Sequence, residues 1–185
     1  MNRRIENGSP QTDTAVRLGQ VIASLSHRLD PKRSGSAAMA QLRRISQDNL
    51  PSQFWLVYLS EVPLEWREPN GRPDVRHDRS WASLIRAMAE MGPRPHSLNR
   101  QFGRALADTG YSEDRFVRLV RASDSTLERE LRTASVWLAR SGVLRVNWIQ
   151  PAELFSWGPG RKSRSSTVRH RLAREYFSSV ARRSP

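Results

Sequence analysis

There is no cysteine among the 185 residues. That excludes disulfide frameworks, thiol catalysis and cysteine-based zinc sites. Lysine is nearly absent too: of 31 basic residues only Lys32 and Lys162 are lysines, and the others are arginines. No apolar run approaches the ~20 residues a membrane-spanning helix requires. No apolar stretch follows Met1-Asn2-Arg3-Arg4, so a secretory signal is not expected and a soluble cytoplasmic protein is the default, with no membrane partner. Acidic residues are in short supply, 18 against the 31 basic ones, for a net charge of +13. A protein this basic is expected to meet a polyanion.

What is present is a globular composition, 37% hydrophobic and 26% charged. The length fits one domain or two small ones. Charge is uneven: residues 1–92 carry 13 basic and 10 acidic side chains, residues 93–185 carry 18 and 8. The Gly92-Pro93-Arg94-Pro95 stretch coincides with this shift. The expected organisation is an N-terminal helical bundle over 1–92 with a basic loop at 63–79, and a more basic bundle over 93–185.

Helical periodicity dominates. Leu18, Ile22, Leu25 and Leu29 make one apolar stripe, which predicts a helix over 13–29 ended by Asp30-Pro31. Met39, Leu42 and Ile45 mark a second helix over 36–46, and Pro51 opens a largely buried one to Glu61. A helix resumes around Trp81 and closes at Gly92. Further helices are predicted over 97–107, from Ser112, from the capping-box pattern Ser125-x-x-Glu128, over 147–157 and over about 164–181. The expected class is all-α, two small helical bundles with about nine helices.

The arginines form faces. At ~100° per residue, Arg115, Arg118 and Arg121 fall at roughly 0°, 300° and 240°, while Phe116, Val117, Leu119 and Val120 lie between roughly 40° and 200°. Arg100 and Arg104 lie side by side at i, i+4, and Arg44 lies opposite the Met39/Leu42/Ile45 stripe with Arg43 on its flank. Arg164, Arg171 and Arg174 share a face of the last helix, whereas Arg169 lands in its apolar arc. One such face is ordinarily just solvated. Four on a chain with few acids point to phosphate, which arginine grips bidentately. The six tryptophans sit mostly inside apolar patterns and read as core.

Catalytic patterns are weak. His77-Asp78 is a His-Asp pair of the type found in helical metal phosphohydrolases, but it falls in the Pro/Gly/Arg loop with His27, His96 and His170 on unrelated segments. Neither lysine follows a glutamate two residues before it, and there is no Gly-x-x-x-x-Gly-Lys loop or Gly-x-Ser-x-Gly elbow. A non-enzymatic binder needing no cofactor or metal is expected.

An ordered set of segments resembles one family. Ala40-Gln41-Leu42-Arg43-Arg44-Ile45-Ser46, Pro51-x-x-Phe54-Trp55, and Phe102-Gly103-Arg104-Ala105-Leu106-Ala107-x-x-Gly110-Tyr111-Ser112-Glu113-x-Arg115-Phe116-x-x-Leu119-Val120-Arg121 are similar to the CasB family, the small subunit of the type I-E CRISPR surveillance complex Cascade. Trp148, Leu154, Trp157-Gly158 and Arg174-Glu175-Tyr176-Phe177 resemble its C-terminal end. The resemblance spans about 36–177 and implies an all-helical, non-catalytic subunit. It implies two copies associating head to tail, contacts to the Cascade backbone and large subunits, and a basic surface on guide RNA, target DNA and the displaced strand. Guide pairing, not this subunit, would supply sequence specificity. On matching positions the expected nucleic-acid contacts are Arg43 and Arg44, then Arg104, Arg115 and Arg121, with Arg118 on the same face, then Arg161, Lys162 and Arg164. The alternatives are a helix-turn-helix regulator reading the major groove with the Arg115/Arg118/Arg121 helix, and a metal phosphohydrolase at His77-Asp78.

Overall fold

Leu18, Val21, Ile22 and Leu25 are buried along one side of the first helix, as their spacing dictates, and Leu29 is buried just past its end. In the computed structural model, which describes residues 10–46, 48–68, 71–155 and 162–183, eleven helices follow in chain order. They are α1 (Pro10–Arg28), α2 (Pro31–Ser34), α3 (Ser36–Arg43), α4 (Ser52–Glu61), α5 (Leu64–Arg67) and α6 (Val75–Glu90). The second half holds α7 (Phe102–Asp108), α8 (Glu113–Arg121), α9 (Asp124–Arg140), α10 (Ile149–Leu154) and α11 (Lys162–Ala181). Among the described residues there is no strand, only two isolated bridges. No described helix is long and apolar enough to cross a membrane.

One apolar cluster runs from Leu18 to Tyr176. Helix α6 contributes Trp81, Leu84, Ile85 and Met88 and packs chiefly on α9, while α7 packs on α11. The α7–α11 approach needs a glycine: a Cβ on Gly103 would stand 2.6 Å from the Leu172 carbonyl oxygen. Around that contact Phe102 N–H donates to Gln150 Oε1 at 3.2 Å, and Gln150 Nε2 donates to Glu175. Burial raises the Glu175 carboxyl above its ordinary range, against the pull of Gln150, Arg171 and the Gly103 amide.

Several boundaries differ from expectation, each for a local reason. Residues 97–101 are not helical, because Ser97 N–H donates to Val146 O at 3.0 Å and Asn147 N–H to Arg100 O at 2.7 Å, tying this stretch to the segment before α10. Arg100 therefore precedes α7 and does not share a helix with Arg104. Helix α9 starts before the capping-box serine, with Ser123 at its N-cap and Asp124 at φ 47°. The 63–79 loop contains α5 and the start of α6, whose Asp74 cap accepts from Arg76 N–H at 2.8 Å. Helix α4 is not largely buried: Phe54, Val57 and Tyr58 face the core, but Trp55, Leu56 and Leu59 are exposed.

Candidate nucleic-acid interface

Helix α8 begins after Ser112 with Glu113 and Asp114 in its first turn, where carboxylates oppose the helix dipole favourably. Phe116 and Leu119 are buried, and Arg115, Arg118 and Arg121 are all exposed on the other side. Phe116 stacks on Tyr176 of α11 at 3.9 Å between ring centroids, and the Tyr176 hydroxyl donates to the Tyr111 carbonyl. The apolar side of α8 is thus fixed by aromatic packing, which leaves its arginine side outward.

Arg115 is held in place. Its guanidinium carbon lies 5.6 Å from the Trp137 ring centroid, a cation–π distance. Trp137 is itself positioned, donating Nε1–H to Thr109 Oγ1 at 3.1 Å and meeting Tyr111 edge to face. Burial, and Glu130 nearby, push the Tyr111 hydroxyl up to about 12. Arg118 and Arg121 make no side-chain ion pair or hydrogen bond among the described residues.

The adjacent pair Arg43 and Arg44 divides its labour. Arg43 Nε–H donates to the Ala89 carbonyl at 2.9 Å near the end of α6, so this arginine joins α3 to α6. Arg44, the C-cap residue of α3, is exposed with no side-chain partner among the described residues. Arg104 is exposed and lies 3.7 Å from Asp108, one turn along α7. Arg161 and the side chains of Lys162 and Arg164 lie outside the described residues, although Lys162 and Arg164 belong to α11. Arg171 pairs with Glu153, and Arg174 is exposed.

The misfit Arg169 has a structural reason. It reaches from the packed side of α11 to the end of α8, where Nη2–H donates to the Ala122 carbonyl at 2.7 Å. Burial lowers its pKa from the ordinary arginine range.

His77 and Asp78 lie on α6 rather than in a loop. Each is engaged differently: His77 Nδ1 pairs with Asp74 at 3.0 Å, and Asp78 accepts from the Tyr58 hydroxyl at 2.7 Å. Among the described residues, no group of three or more His, Asp or Glu gathers as a metal-binding set.

The sequence reading missed one basic cluster. Arg79 and Arg86 from α6 and Arg129 and Arg132 from α9 line a common cleft. Their sequence separation hides it, since only the packing of α6 on α9 brings them together.

The geometry therefore defines an all-helical protein with exposed arginine faces, and the comparisons agree in fold. Residues 38–177 match the family model for CRISPR-associated protein Cse2, and the chain belongs to that family. Its fold is similar to the crystal structure of CasB from Thermobifida fusca, with TM-score 0.60 and 17% identity over 88% of this chain and 96% of that one. A comparison with curated proteins finds no match. Membership of the Cse2 family supports a role as a subunit of a CRISPR Cascade complex.

Proposed function

We propose that this chain is a non-catalytic small subunit of a type I-E Cascade complex that grips nucleic-acid phosphates without reading their sequence. The observation that carries this is the division of α8, with Phe116 and Leu119 locked into the core and Arg115, Arg118 and Arg121 turned outward. Arg44 adds a cation at the end of α3 that is exposed and without a side-chain partner among the described residues. Guanidinium groups on a rigid helix suit phosphate oxygens, and their affinity is salt-dependent through counterion release. Base specificity is left to the guide RNA.

In this reading the partners are the guide RNA, target DNA and its displaced strand, the Cascade backbone and large subunits, and a second copy of the chain. The test is reconstitution with the other subunits and a guide RNA, followed by footprinting of the displaced strand on a matched target. Wild-type chain is expected to protect that strand, and an assembled complex carrying Arg44→Glu, Arg118→Glu and Arg121→Glu is expected to expose it. Equal protection with both chains would count against the proposal.

A further inference from the structure

A cleft of about 180 Å³ opens between α6 and α9. Its walls carry Arg79 and Arg86 from α6, Arg129 and Arg132 from α9, and also Ser83 and Glu128. Two of the arginines are engaged: Arg132 Nε–H donates to Glu90 at 3.2 Å, and Arg129 Nη2–H to Glu130 at 3.4 Å. Arg86 differs from both. It is half-buried, and its Nε has no hydrogen-bond partner among the described residues. Burial first, and Arg132 beside it second, lower its pKa from the ordinary arginine range, while Glu90 acts the other way.

An arginine stays protonated at neutral pH. The free protein therefore keeps a partly desolvated cation beside a like charge, which is costly unless something pairs with it. An anion in the cleft relieves that cost, and guanidinium groups match phosphate oxygens in bidentate geometry. Ile45 and Ser46, the residues that follow Arg43-Arg44, line the same cleft. The exposed Arg44 immediately precedes them in the chain. Glu128 on the wall offsets part of the positive charge and favours a monoanionic diester over a dianionic free phosphate.

We propose that this cleft is a phosphate seat, taking one phosphodiester group of a nucleic-acid backbone with Arg86 as its principal ligand. It rests on the nucleic-acid reading above and extends it to a cleft lined by two helices, rather than a face displayed on one.

The test is binding of the full chain to a short single-stranded DNA of scrambled sequence across a salt series. Arg86→Gln is expected to weaken binding about tenfold and to lower the slope of log affinity against log salt by about 0.7, one phosphate contact. Its thermal midpoint without DNA is expected to equal or exceed that of the wild type, whereas a merely structural Arg86 would make the variant less stable. Ser83→Asp, which adds a carboxylate to the wall, is expected to weaken binding without touching Arg86. Salt-dependent wild-type binding with both variants unchanged overturns the seat and leaves the nucleic-acid reading standing. Absence of wild-type DNA binding sinks that reading instead, and inorganic phosphate then tests the cleft by itself. Saturable phosphate binding lost in Arg86→Gln would uphold an anion seat with free phosphate as its source. No phosphate binding would overturn the seat.

Discussion

Arg94 Nε–H donates to the Asp30 carboxylate at 2.8 Å, joining the end of α1 to the connection that follows α6. The same carboxylate caps α2, accepting from Lys32 N–H at 3.1 Å. The Lys32 amide bond first, and the Arg94 bond and charge with it, hold the Asp30 carboxyl below its ordinary range against a smaller opposing effect of burial. Arg94 adopts φ 47°, a left-handed conformation that suits glycine. Its side chain therefore stabilises while its backbone is strained. Arg94→Ala loses the ion pair and keeps the strain, whereas Arg94→Gly loses both. The glycine variant is expected to be the more stable of the two by about 1 kcal/mol, measured by denaturant unfolding.

Gly103 gives a second prediction. An alanine there would push a methyl group against the Leu172 carbonyl, and backbone cannot step aside as a flexible side chain does. Gly103→Ala is expected to cost about 1–3 kcal/mol of stability. An unchanged unfolding midpoint would show that α7 and α11 do not approach so closely.

Arg43 and Arg44 are expected to separate cleanly. Arg43→Ala breaks the bond to the Ala89 carbonyl and is expected to destabilise by about 1 kcal/mol. Arg44→Ala touches no partner among the described residues and should stay within about 0.5 kcal/mol of the wild type, while weakening DNA binding. Calorimetry and an anisotropy titration on the two variants check the pair.

His96 makes stability depend on pH. Its Nδ1 accepts from Trp148 N–H at 3.1 Å, and burial lowers its pKa from the ordinary value of 6.5, with a bond to the Val146 backbone pulling the other way. The folded protein favours the neutral ring, and the unfolded chain takes up a proton more readily. Stability from this residue is therefore present above about pH 6.5 and is lost as pH falls through that value towards the lower folded one. His96→Gln, which keeps an acceptor for Trp148, is expected to flatten the stability profile below about pH 6.5. A slope the same as that of the wild type would assign the acid sensitivity elsewhere.

The all-α class and the two faces of α8 were legible because both rest on periodicity within one helix. The Phe116/Leu119 side must be buried and the Arg115/Arg118/Arg121 side cannot be, whatever the neighbours. Features set by distant residues were not legible. Residues 97–101 carry helix-forming side chains such as Leu98, yet bonds to Val146 and Asn147 hold them in a turn outside the helix. Trp55 looked like core and is exposed. Arg43 and Arg44 are alike in sequence and differ only through Ala89. The four arginines of the cleft belong to two helices, so no local pattern could group them. Arg169 did carry a signal: an arginine in an apolar arc marked a side chain with an internal partner, here the Ala122 carbonyl.

The measurement that tests the central claim most directly is affinity for scrambled single-stranded and duplex DNA across a salt series, with wild-type chain beside an Arg44→Glu, Arg118→Glu, Arg121→Glu variant. The account predicts sequence-blind binding that weakens steeply with salt, with a variant slope lower by about 2 on single strands for three lost phosphate contacts. Tight preference for one duplex sequence, or a slope unmoved by the three reversals, would contradict it.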